Sequence, residues 1–217
     1  MLPIRNILRS IRLFGYILLA ASFVCGCARN ADHITTIALQ PYGSFDRKTA
    51  NEIAEVLTHT YKARCVILKK KSLPQEAFIN VKTPRYRADE LLRILHDDKP
   101  DSIDYILGLT DSDISTTKRD SEGNIKEPAE KYTDWGVFGL GYRPGVSCVV
   151  SSFRLKEPRN RFYDRIFKVC IHEIGHNLGL DHCDNEGCVM ADAAESIKTV
   201  DRVSSHLCVA CRSKIHL

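Results

Sequence analysis

From Arg161 to Leu178 the chain reads as a helix whose apolar residues, Ile166, Phe167, Val169, Cys170, Ile171, Ile174 and Leu178, fall on more than one face. A helix that is apolar nearly all round is a buried one, so the rest of the chain has to wrap it. Within it stand the polar exceptions His172, Glu173 and His176. Burying such groups without a partner is costly. Whatever fold forms must therefore supply something that compensates them.

His172 and His176 are four residues apart, which on an α-helix places both rings on one face, one turn from each other, able to converge on one ion. Zinc suits them. Imidazole binds it at about 2.0–2.1 Å, and a catalytic site keeps three protein ligands plus an open water position. Gly179 supplies a means to a third ligand, because glycine can take the left-handed conformation that stops a helix and turns the chain back. That turn predicts His182 at the same ion. Glu173, next to the first histidine, is placed to hydrogen-bond the water rather than the metal. Zinc can lower that water's pKa to about 7, so a carboxylate can take its proton at neutral pH and pass it to a leaving amine. A His-x-x-x-His pair on a helix also arises by chance. The glycine and third histidine at their spacings set this stretch apart, and a purely structural zinc site would have no use for Glu173.

Beyond His182 come Cys183, Cys188 and Met190, then Cys208 and Cys211. The two cysteine pairs resemble opposing knuckles of a four-cysteine structural zinc site, tetrahedral and closed to substrate. The whole string, His172-Glu173-x-x-His176-x-x-Gly179-x-x-His182-Cys183-x4-Cys188-x-Met190-x17-Cys208-x-x-Cys211, resembles the archaemetzincin family of metallopeptidases, with every position of that signature filled. The resemblance is direct over residues 172–211. It implies two zinc ions per chain, one catalytic on the histidines and one structural on the cysteines, and a metzincin-like zincin fold. Met190 would then be the methionine of the Met-turn, a hydrophobic floor beneath the catalytic metal. The substrate would be a peptide or protein, with short peptides favoured. Trp135 to Tyr142 is similar in position to the family's edge strand, against which an extended peptide can pair; it also reads as an ordinary hairpin strand. No tyrosine follows Met190, where Ala191 and Asp192 stand, so no tyrosine ligand is expected from that turn.

The upstream pattern is that of a mixed α/β (α+β) domain. Ile34 to Gln40 reads as a strand, Phe45 to Tyr61 as an amphipathic helix, Cys65 to Leu68 as a strand, and Ala88, Leu91, Leu92 and Leu95 mark a second helix. Ile103 to Leu109 is a buried strand, and two more follow near Trp135 to Tyr142 and Val146 to Phe153. Asp111 to Asp134 is polar and reads as a long structureless loop, either functional or a solvated insertion. The expectation is a mixed twisted sheet with an active-site helix, a lobe over about residues 32–179 and a small zinc-pinned C-terminal lobe over about 180–217.

The first 26 residues have a separate pattern. Arg5, Arg9 and Arg12 lead into an apolar run from Leu13 to Val24, too short to span a bilayer comfortably. The tail Val24-Cys25-Gly26-Cys27 resembles a bacterial lipoprotein box, which predicts cleavage of residues 1–26, acylation of Cys27, export, and a lipid-anchored monomer at a membrane surface of a bacterial cell envelope; a plain signal peptide cleaved nearby is the alternative. Without those arginines the charges are 28 basic against 27 acidic, so nothing points to nucleic acid. Export bears on the cysteines, since oxidising compartments favour disulfides. Cys183 and Cys188 pairing with Cys208 and Cys211 stands beside the zinc reading, in which metal-held thiolates are shielded from oxidation. Cys65, Cys148 and Cys170 read as small buried residues. A zinc peptidase is the leading expectation. Its rivals are a zinc-stabilised envelope binding module with a vestigial site and a hydrolase of non-peptide amides.

Overall fold

In the computed structural model, residues 33–192 and 196–216 are described. The expected leader, residues 1–26, and the expected acylation site Cys27 lie outside them. Strands β1 (Thr36–Pro41), β2 (Arg64–Ile67) and β5 (Tyr105–Thr110) pair in parallel, with β1 in the middle. On the other side of β5 comes parallel β9 (Ser147–Ser151), and antiparallel β8 (Gly139–Gly141) closes that edge. The near-continuous apolar runs of β1, β5 and β9 follow from burial on both faces. Side chains alternate between those faces: Ile37, Leu39, Leu107, Leu109, Cys148 and Val150 join one core, and Ala38, Ile106 and Val149 join the other.

Helices α1 (Arg47–Tyr61) and α4 (Phe162–Asn177) cover the first face through Ile53, Leu57, Ile166 and Ile174. α2 (Ala88–Asp97) covers the second through Leu91, Leu92 and Leu95. The start of α1 is set by Asp46, whose carboxylate accepts from the Thr49 backbone N–H at 2.7 Å, satisfying one of the donors a helix N-terminus leaves open. The helix therefore begins two residues after the expected Phe45.

A second, four-stranded sheet was not foreseen. Its order is β3 (Phe78–Ile79), β4 (Arg85–Arg87), β6 (Ile114–Thr116), β7 (Trp135–Val137). Two expectations change with it. Trp135 to Tyr142 is not one strand: β7 pairs with β6, the chain leaves at Phe138, and β8 joins β9 in the large sheet. Nor is Asp111 to Asp134 structureless. It contains β6 and the short helix α3 (Ala129–Tyr132), and the turn between them is held by polar contacts. Lys118 N–H donates to Tyr132 O at 2.9 Å, and the Asp120 carboxylate accepts from the N–H groups of Glu122 and Asn124, each at 2.9 Å. Turn chemistry of this kind leaves no apolar periodicity to read. The small sheet is fastened by charge: Arg154 forks onto Asp113 at 2.7 and 2.8 Å, and buried Arg85 lies 3.4 Å from both Asp113 and Asp134.

After α4 the chain turns back into α5 (Ile197–Arg202) and α6 (Val209–Lys214). Arg165 on α4 forks onto Asp201 of α5 at 2.6 and 2.8 Å and also donates to the carbonyl of Glu157. No helix among the described residues is long and apolar enough to cross a membrane.

Candidate active site

α4 delivers His172 and His176 to one face with ring centroids 4.5 Å apart and planes at 89°. Each ring is oriented by a backbone carbonyl at its Nδ1: Val189 O for His172 and Leu180 O for His176, both at 2.8 Å. A carbonyl only accepts, so Nδ1 carries the proton in each neutral ring and Nε2 carries a bare lone pair. Those two Nε2 atoms face each other at 3.0 Å. Two lone pairs in that position call for a cation between them, which is the donor chemistry of a metal site with its outer partners in place.

The third ring arrives as the glycine spacing predicts. Gly179 sits at φ +92°, the left-handed region that glycine enters without steric cost, and Leu180 N–H closes the turn onto Gly175 O at 2.9 Å. His182 then lies 5.0 Å from His176 and 5.4 Å from His172 between ring centroids, with its side chain 40% exposed. One ligand atom from each histidine falls within 4.8 Å of the others. Burial, and then the neighbouring His176, push the His172 imidazole down to about 4; burial likewise lowers His176. Both rings are thus kept neutral, the form that binds a metal.

Glu173 lines the same cleft as the three histidines and packs under β8, and burial alone pushes its carboxyl up to about 8. Gly139 and Gly141 explain how the strand lies so close. A Cβ on Gly139 would stand 2.7 Å from Glu173 Oε1, and one on Gly141 would stand 3.2 Å from Oε2. Asn177 secures the same hairpin, its amide donating to the carbonyls of Tyr142 and Ser147, each at 2.9 Å. Met190 is fully buried, with its sulfur against Gly175, where a side chain would collide with it.

A cleft of about 380 Å³ runs past these groups, lined by β7, β8 and α4, with Trp135 and Lys118 also on its wall. The glycine alternation in β8, Asn177, and Lys168 one turn before His172 escaped the sequence reading. The first had a signal, since glycines two apart on a strand leave one face bare.

Cys183, Cys188, Cys208 and Cys211 form a second cluster. The thiols are free, with Sγ separations of 3.7 Å for Cys183–Cys208 and 3.8 Å for Cys188–Cys211. A disulfide needs about 2.05 Å, whereas sulfurs placed tetrahedrally at about 2.3 Å from zinc stand about 3.8 Å apart. The backbone N–H of Cys211 pulls the Cys208 thiol down to about 7, whereas burial raises the thiols of Cys188 and Cys211. Of the remaining cysteines, Cys148 and Cys170 are buried as expected and Cys65 is half-buried.

Residues 34–217 match Peptidase family M54. The archaemetzincin of Haloquadratum walsbyi is 28% identical, over 83% of this chain and 99% of its own. Crystal structures of two archaemetzincins superpose on the fold. That from Archaeoglobus fulgidus, solved complexed with malonate, has a TM-score of 0.66 at 30% identity, covering 83% of this chain and 99% of its own. That from Methanopyrus kandleri has a TM-score of 0.67 at 28% identity, covering 84% and 94%. The curated relatives are archaeal proteins. With the paired histidines, the cysteine cluster and this likeness over almost the whole described chain, the protein belongs to peptidase family M54, the archaemetzincins of the metzincin clan, and is a zinc-dependent hydrolase.

Proposed function

We propose that this chain hydrolyses peptide bonds in an extended segment lying across the cleft, with His172, His176 and His182 holding a catalytic zinc and Glu173 as the general base. The observation that carries the reading is the pair of bare Nε2 lone pairs facing each other at 3.0 Å, one residue from a buried carboxylate. Zinc bound there supplies Lewis acidity, polarising a carbonyl oxygen and making water acidic enough to lose a proton near neutral pH.

The chain's own residues do the rest. Glu173 takes the proton from the attacking water and returns it to the leaving amine; burial alone raises its carboxyl to about 8, and a cation held by the neighbouring histidines would draw it back toward the carboxylate that a base requires. Gly139 and Gly141 let the edge strand close over that carboxylate and exclude solvent from it. β8 ends the five-stranded sheet, so its outer edge can pair with the substrate backbone. Met190 packs beneath the histidine turn. Cys183, Cys188, Cys208 and Cys211 hold a second, structural zinc that ties the segment after Gly179 together. Ahead of the catalytic domain, cleavage before an acylated Cys27 would anchor the exported protein at a membrane surface; in support, the family match begins only at residue 34.

The test is Glu173→Gln. Metal analysis should still find two zinc ions per chain, while turnover of a peptide library falls by about 10²–10⁴-fold, the usual worth of a general base. A variant as active as the wild type would overturn the role of Glu173. Mass spectrometry of the mature N-terminus, with Cys27→Ser as control, tests the anchor; an unmodified cysteine would remove it.

A further inference from the structure

The cleft wall beyond the histidines is basic. Among the described residues its lining cations are Lys118, Arg143 and Lys168, and the one acid is Glu173. Arg143 forms a partly exposed ion pair with Asp181 at 3.1 Å, and Lys118 lies 5.2 Å over the Trp135 ring. Lys168 is a different case. It stands on α4 one turn before His172 and is only 6% exposed, although its surroundings on that wall include Val169, Val200 and Val203.

An ammonium offers three donors and no acceptor. Lys168 uses one of them, on Asp164 at 2.6 Å across a turn of its own helix. Asp201, the other acid whose charge acts on it, is committed to the Arg165 fork and to Arg161 at 3.3 Å. Arg161 and Arg165 thus share Asp201, and Lys168 keeps as its one ion-pair partner Asp164, whose side chain is half exposed to solvent while that of Lys168 is buried. The Lys168 ammonium lies in a largely apolar recess, where a charge-assisted hydrogen bond is stronger than in water.

Resting on the peptidase reading above, we infer that Lys168 is a specificity-determining residue that binds a substrate carboxylate close to the scissile bond. That carboxylate belongs either to an Asp or Glu side chain or to the peptide's own C-terminus.

The test uses the full-length, zinc-loaded protein and a peptide library prepared both as free acids and as C-terminal amides, with cleavage sites read by mass spectrometry. Enrichment of Asp or Glu beside the cleaved bond in the amidated library identifies the side chain; cleavage confined to bonds near a free C-terminus identifies the terminus. Lys168→Met should lower the ratio of kcat/KM for carboxylate-bearing over neutral peptides by about tenfold, the worth of one hydrogen bond to a charged group. Asp164→Asn should raise the same ratio, because it releases the third donor and removes the competing anion. A purely structural Lys168–Asp164 pair would move the ratio in neither direction, or in the same direction for both variants, and either result overturns the inference. The wild-type preference should also fade with added salt, as a Coulombic attraction does. A library cleaved without bias removes only the role of Lys168. A library left intact by the wild type and by Glu173→Gln alike removes the peptidase reading and this inference together.

Discussion

The two ligand clusters sit close together in sequence and differ in what surrounds them. The histidines come from eleven consecutive residues, 172–182, and face a cleft, with one ring well exposed. The cysteines come from two segments twenty residues apart, Cys188 and Cys211 are 1% and 3% exposed, and none of the four lines the cleft. An ion on the first set would face the cleft; an ion on the second would lie away from it, between two segments of chain. Access, more than ligand chemistry, separates turning over a substrate from holding a fold.

That contrast can be broken most directly by removing one ligand from each set. Cys211→Ser should lose one zinc and lower the melting midpoint by more than about 10 °C, because binding energy at a structural site is folding energy. His182→Ala should lose the other zinc and hydrolysis, with a much smaller change in midpoint; equal destabilisation by both would erase the distinction. Gly139→Val sharpens it from the cleft side. With no room above Glu173, turnover should fall about 100-fold, as misplacement by an ångström does, while metal analysis still finds both ions.

A smaller effect is expected from Asn177→Ala. It strips the donor from the carbonyls of Tyr142 and Ser147 and should cost about 1–3 kcal/mol in urea unfolding. The smallest concerns acid. The Arg165 fork holds the Asp201 carboxyl below its ordinary value of 3.8. Its stabilisation is therefore complete above 3.8 and is lost as pH falls through the depressed value. Asp201→Asn should flatten that part of the stability curve, leaving the histidine cluster's metal content at neutral pH unchanged.

Much of this was legible without coordinates because it rests on local periodicity. The apolar surround of α4, the one-turn spacing of His172 and His176, and the reversal at Gly179 are short-range rules, and each has its expected geometry. The alternating burial of β1, β5 and β9 was readable for the same reason. What escaped depends on partners distant in sequence. β7 and β8 look like one strand until β6 and β9 compete for them, and Asp120 turns a polar loop into a built element through its own hydrogen bonds. Lys168 is one more cation on a helix until its burial is known. The glycines of β8 have their reason in a carboxylate 32 or more residues away.

The backbone carbonyl that orients His172 belongs to Val189, the immediate neighbour of Cys188. Tautomer and ring direction in the histidine cluster are thus set by a peptide unit that a metal on the cysteine cluster would hold in place. Linkage then demands reciprocity: loading the thiolates should tighten the imidazoles' grip on their ion, and loading the imidazoles should tighten the thiolates by the same factor. A titration of the metal-free protein would accordingly fill both sites with positive cooperativity, as though the chain counted its ions in pairs.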